Sequence, residues 1–122
     1  MGFNDDNFLD DYEIQELINK FESQLESGMP LFFDADELNI ILEHYVQKND
    51  IPKINIIADL ASTYHEANPL TKLIMAKKYL SVQDAANALP YLLDESNNAD
   101  DPDYQLSLGY CYSLMDEHKK SL

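Results

Sequence analysis

Leu108-Gly109-Tyr110-Cys111-Tyr112 is the third appearance of one short pattern: an apolar residue, a compact residue, two spacers and a tyrosine. The earlier copies are Ile41-Leu42-Glu43-His44-Tyr45 and Met75-Ala76-Lys77-Lys78-Tyr79, so the three tyrosines stand 34 and 33 residues apart. Acidic residues recur on the same period at Asp50, Asp84 and Glu117, followed by Ile54, Ala88 and Ser121 in an apolar or small slot. A self-similar period of this length marks a helix-turn-helix unit, which buries its apolar faces only by stacking on copies of itself.

Working outward from the repeat, the chain reads as helices separated by short capped turns. Ile14, Leu17, Ile18, Phe21 and Leu25 share one face of a helix predicted over Tyr12–Ser27, stopped by Gly28 and Pro30. Leu31-Phe32-Phe33 forms an apolar plug, and Asp34 with Glu37 makes an acidic capping box. The next helix, Asp36–Lys48, buries Leu38, Ile41, Leu42 and Tyr45, and ends at Asn49-Asp50. Asp50 is the expected N-cap of Pro52–His65, whose inner face carries Ile54, Ile57, Ala58 and Ala61. Asn68-Pro69, Asp84 and Asp101-Pro102 start the helices Pro69–Ser81 and Asp84–Asp94 and a sixth from Pro102. Pro90, inside the fifth helix, removes a backbone hydrogen bond and is expected to bend it. No strand is expected.

The L-G-x2-Y spacing resembles the tetratricopeptide (TPR) repeat over about Ala35–Leu122, and the third copy fits best, with Leu108, Gly109 and Tyr112 in the leucine, glycine and tyrosine slots. The chain departs from the pattern at the tryptophan slot, filled by Leu38, Lys72 and Gln105. Glu66 and Asp100 also stand where a terminal proline belongs, with Pro69 and Pro102 arriving late. The chain is similar to the N-terminal part of cytoplasmic TPR proteins of Bacteroidetes. The resemblance implies an all-α, TPR-like α-α solenoid with an N-terminal capping helix. Its segments would be an acidic leader over 1–11, the capping helix and connection over 12–33, and repeats over 34–67, 68–100 and, in part, 101–122.

In TPR proteins the first helix of each repeat lines a concave groove for a peptide or helix. On this register the resemblance puts Asn39, Glu43, Val46, Leu73, Lys77, Leu80, Leu106, Tyr110 and Ser113 on that surface. Only Lys77 and Asn39 suit a clamp for a C-terminal carboxylate, so that mode is not expected. The alternative is that Leu73, Leu80, Leu106 and Tyr110 pack against the N-terminal helix or a neighbouring chain. Gly109 occupies the compact slot where neighbouring helices are expected to approach most closely, so leucine there should harm folding more than leucine at Lys77.

Lys and Arg total 8 against 23 Asp and Glu, a formal net charge of −15. Such a polyanion repels phosphate backbones and anionic lipid, which argues against nucleic-acid and membrane partners and favours a basic protein or peptide. The carboxylates also serve solubility. Cys111 is the single cysteine, so no intrachain disulfide forms, and its apolar setting predicts an inert buried thiol. The N-terminus lacks a signal peptide or myristoylation motif, and no apolar stretch is long enough to span a bilayer, so a cytoplasmic location is expected.

Catalytic and metal motifs are missing. The second histidine of an H-E-x-x-H motif opening at His65-Glu66 would fall at Pro69. His44, His65 and His118 are dispersed and read as polar surface or groove residues. Asn97, Asn98, Asp100, Asp101 and Asp103 lack the glycine and terminal glutamate of a calcium loop and read as helix caps. No cofactor is expected. The leading expectation is a non-enzymatic interaction scaffold. The alternative is a small acidic metal-binding protein or enzyme built on Glu43, His44 and other dispersed residues. A second helix of the third repeat should begin after Glu117 and break off at Leu122, so the chain is expected to be part of a longer repeat protein and, alone, to self-associate through its C-terminal helix or to fray there.

Overall fold

The computed structural model describes residues 10–94 and 101–121, with side chains described as far as residue 117. Among these the protein is all-helical, without a strand: α1 (Asp11–Ser27), α2 (Ala35–Gln47), α3 (Ile51–Tyr64), α4 (Pro69–Leu80), α5 (Ala85–Leu92) and α6 (Pro102–Ser121). Every predicted helix start or end that lies inside the described residues falls within two residues of an observed one, apart from the end of α6. Caps explain the agreement. Asp34 accepts from the Glu37 amide while the Glu37 carboxylate accepts from the Asp34 amide, and α1 opens on the same reciprocal pair, Asp10 and Glu13. Gly28 closes α1 at φ 71°, a left-handed conformation that glycine adopts without strain.

The repeat is visible in the backbone. Asn49 and Gln83 both take positive φ, 57° and 63°, and are the described non-glycine residues that do so. Each precedes an aspartate with nearly the same dihedrals, φ −90° and ψ 83° at Asp50 against φ −95° and ψ 75° at Asp84. The Asp50 amide donates to the Tyr45 carbonyl at 3.0 Å and the Asp84 amide to the Tyr79 carbonyl at 2.9 Å. One turn geometry therefore occurs twice at the sequence period, each time delivering an aspartate to cap the next helix.

The core divides at α4. Leu17, Ile18 and Phe21 of α1 pack with Phe33, with Leu38, Ile41, Leu42 and Tyr45 of α2, with Ile54, Ile57, Ala58 and Ala61 of α3, and with Ile74 of α4. Leu73, Ala76 and Leu80 on the other side of α4 join Ala85, Ala88, Leu92 and Cys111. Side chains as large as Phe21 or Ile41, fully buried here, each contribute about 1.5–3 kcal/mol of transfer free energy. α2 packs on α4 and α4 on α6, whereas α1, α3 and α5 have no Cα atoms within 8 Å of one another. The even-numbered helices thus form a continuous row, with the odd-numbered helices outside it.

Three expectations need correction. First, α6 runs unbroken to Ser121 rather than turning near Glu117. The equivalents of Asn49-Asp50 are Asp116-Glu117, and glutamate caps a helix poorly while nothing in Ser113–Ser121 interrupts one. Second, a Cβ on Gly109 would meet nothing within 4 Å, although the matching Leu42 and Ala76 are fully buried. The closest-approach argument at Gly109 therefore fails, because no described helix covers that side of α6. Lys77, in contrast, is buried. Third, Asp10 and Asp11 belong to α1 and its cap rather than to a leader. His65 is partly exposed, and its Nε2 donates to the Phe33 carbonyl at 2.7 Å while its own carbonyl accepts from the buried Thr71 hydroxyl at 2.6 Å. α5 ends at Leu92, two residues beyond Pro90 and two short of the predicted Asp94. The expectations about residues 1–9, about Asn97, Asn98 and Asp100, and about the His118 side chain lie outside the described residues.

Candidate functional site

Helical spacing places the candidate residues on one face of each inner helix. On α2, Asn39, Glu43 and Val46 are separated by one turn each. On α6, Asp103, Leu106, Ser107 and Tyr110 follow the same rule, with the start of the helix fixed by Asp101, whose carboxylate accepts from the Asp103 amide at 2.9 Å. α4 lies between them and contributes Lys77 and Leu80. The three faces enclose a cavity of about 460 Å³ lined by Glu43, Val46, Lys77, Leu80, Ser81, Gln83, Asp103, Leu106, Ser107 and Tyr110.

Lys77 governs the polar part of this cavity. Its side chain is only 8% exposed, and its ammonium donates to Asn39 Oδ1 at 2.9 Å, to Asp103 Oδ2 at 2.6 Å and to Glu43 Oε2. Asn39 Nδ2 completes the cluster by donating to Asp103 Oδ2 at 3.3 Å. An ammonium has three hydrogens, and all three are used, which removes the desolvation penalty of an unpaired buried cation. Lys77 therefore ties α2, α4 and α6 together and has no donor left for a ligand carboxylate. The side chains of Glu43 and Asp103 remain 44% and 33% exposed.

Of the nine residues expected on the groove, Glu43, Val46, Lys77, Leu80, Leu106 and Tyr110 line the cavity. Asn39 sits behind Lys77 as its acceptor. Leu73 is in the core beside Ala76, and Ser113 is exposed farther along α6, away from the cavity lining. Asp103, Ser81, Gln83 and Ser107 line it and were not anticipated. Asp103 could have been found from its spacing of three and seven residues before Leu106 and Tyr110, but its place in the first turn of a helix makes it read as a dipole partner alone.

Groups that suggested chemistry are held elsewhere. Glu43 pairs with Lys77, whereas the His44 ring lies edge-on to Tyr45 with centroids 4.8 Å apart. Among the described residues no three His, Cys, Asp or Glu side chains converge as metal ligands. Cys111 is fully buried, its thiol donates to the Ala85 carbonyl at 3.4 Å, and burial pushes its pKa up, away from thiolate reactivity. The Tyr45 hydroxyl donates to Glu22 Oε2 at 2.5 Å, and burial first and that carboxylate second raise its pKa. No described helix is long and apolar enough to cross a membrane.

A second uncovered surface lies at the far end. Tyr112 is 49% exposed, although the matching Tyr45 is 2% exposed, and with Met115 it borders a cleft of about 650 Å³ against Ala85 and Ala86. No protein-family model matches this sequence, and no curated protein and no solved structure matches it significantly.

Proposed function

We propose that the protein is a non-enzymatic helical-repeat scaffold of the TPR kind, binding a peptide or helix of a partner protein between α2, α4 and α6. The observation that carries this reading is the cavity itself, in which residues one turn apart on three successive inner helices converge. The row of inner helices and the twice-used turn at Asn49 and Gln83 support a solenoid, with α1 as its N-terminal cap. Leu106 at 74% exposure and Tyr110 at 47% supply apolar contact area of the type found in binding grooves. The buried single cysteine suits a reducing compartment, and we take the protein to act in the cytoplasm. Photo-crosslinking in cells tests the binding site. A benzophenone side chain at Leu106 should trap one defined protein that the same group at Tyr12, exposed on α1, does not. Equal labelling from both positions would count against the groove.

A second contact is favoured by Gly109 and Tyr112, whose repeat equivalents are covered by helices and which are themselves open. This face of α6 is proposed to pair with the same face of a second copy. Sedimentation equilibrium should give a dimer that Tyr112→Glu dissociates. A concentration-independent monomer rules the pairing out.

A further inference from the structure

We infer that the ligand of the groove presents an arginine flanked by apolar side chains, its guanidinium taken by Glu43 and Asp103. This inference rests on the groove being the binding site and adds the chemistry of what enters it. Lys77 occupies one oxygen of each carboxylate, Oε2 of Glu43 and Oδ2 of Asp103. The other two oxygens, Oε1 and Oδ1, accept no hydrogen bond from any described residue, and both side chains reach solvent at the cavity. Two carboxylates against one ammonium leave the site one negative charge in excess.

Two acceptors on separate carboxylates, astride a filled ammonium site, match the planar fork of a guanidinium better than the compact ammonium of lysine. The chain contains no arginine, so fork-like pairing of these oxygens has to come from a partner. Val46, Leu80 and Leu106 provide an apolar floor for an arginine stem and its neighbours, and the half-exposed Tyr110 ring offers a face for the cation. The net charge of −15 draws such a ligand in over a distance. An acidic tail finds the opposite: among the described residues the only cation lining the cavity, Lys77, has spent its three hydrogens within the protein.

The test uses the full chain, isotopically labelled and titrated with two blocked peptides while backbone amide shifts are followed. One is acetyl-leucyl-arginyl-leucyl-leucinamide; the other carries citrulline, the neutral isostere of arginine. The arginine peptide should shift the amides around Glu43, Asp103, Leu106 and Tyr110 and bind about tenfold more tightly than its isostere, equivalent to one well-placed charge pair. High salt should narrow the gap. Glu43→Gln should shrink that preference, whereas Leu106→Ser, at a position too exposed to disturb folding, should weaken both peptides alike. Equal binding of both peptides in the groove overturns the arginine assignment and leaves the groove standing. Shifts confined to other surfaces, or none with either peptide, overturn both.

Discussion

Lys77 Nζ lies 2.6 Å from Asp103 Oδ2, a contact that joins the interior of α4 to the first turn of α6 across 26 residues of sequence. The same ammonium reaches Asn39 and Glu43 on α2, so one side chain links α2, α4 and α6. Removing it leaves two carboxylates facing each other, though both can recover water because they are partly exposed. Lys77→Ala should therefore lower stability by about 1.5–3 kcal/mol, the range for charged hydrogen bonds. Lys48→Ala, at an exposed C-cap, should change it by less than about 0.5 kcal/mol. Urea midpoints compare the two; equal midpoints contradict the role given to Lys77.

Position 109 behaves opposite to its repeat equivalent. Alanine at Gly109 enters open space within a helix, and should stabilise by about 0.8–1 kcal/mol through helix propensity alone. Leucine at the fully buried Ala76 should cost about 1–3 kcal/mol by overpacking. If Gly109→Ala lowers the melting temperature in dilute solution, some structure covers that face.

The sequence made helix boundaries legible because they are local: a capping aspartate, a glycine at positive φ and a proline in the first turn act within four residues of themselves. Asp34, Asp50, Asn68 and Asp84 all cap as read. The meeting of Glu43, Val46, Leu106 and Tyr110 at one cavity follows from equally local spacing, one turn apart along α2 and along α6. What escaped depends on neighbours distant in sequence. Nothing in the spacing of Lys77 tells that Asn39, Glu43 and Asp103 would surround it, so a groove cation was expected where a buried cross-link stands. The openness at Gly109 was hidden likewise, because the repeat pattern records the slot and not whether a helix fills it.

Gln83 is exposed and strained at φ 63°, so its backbone can be tested without touching the core. Gln83→Gly should stabilise by up to about 1 kcal/mol by removing the left-handed penalty, and Gln83→Val should destabilise. Asp84→Ala, which deletes the cap that this turn delivers, should cost about 1 kcal/mol. Thermal melts in which glycine and valine at position 83 behave alike would contradict the turn geometry.

Tyr45 makes stability fall in alkali. Its folded pKa is raised by burial and by Glu22, while the unfolded chain ionises near the ordinary value of about 10. The folded state holds this proton longer, so the contribution is complete below pH 10 and is lost as pH rises above it. Tyrosinate absorbance should show one late-ionising tyrosine, missing in Tyr45→Phe. An unchanged titration curve in that variant contradicts the buried Tyr45–Glu22 contact.

The most direct test of the account is the affinity of the partner segment trapped at Leu106 for two double variants. Leu106→Ser with Tyr110→Ser alters the exposed apolar rim of the groove, and Tyr12→Ser with Tyr64→Ser alters comparably exposed tyrosines on α1 and α3. Calorimetry should show affinity reduced by about tenfold or more for the groove pair, with the α1 and α3 pair binding as the unaltered protein does. Loss of affinity in the second pair with full retention in the first would contradict a binding groove between α2, α4 and α6.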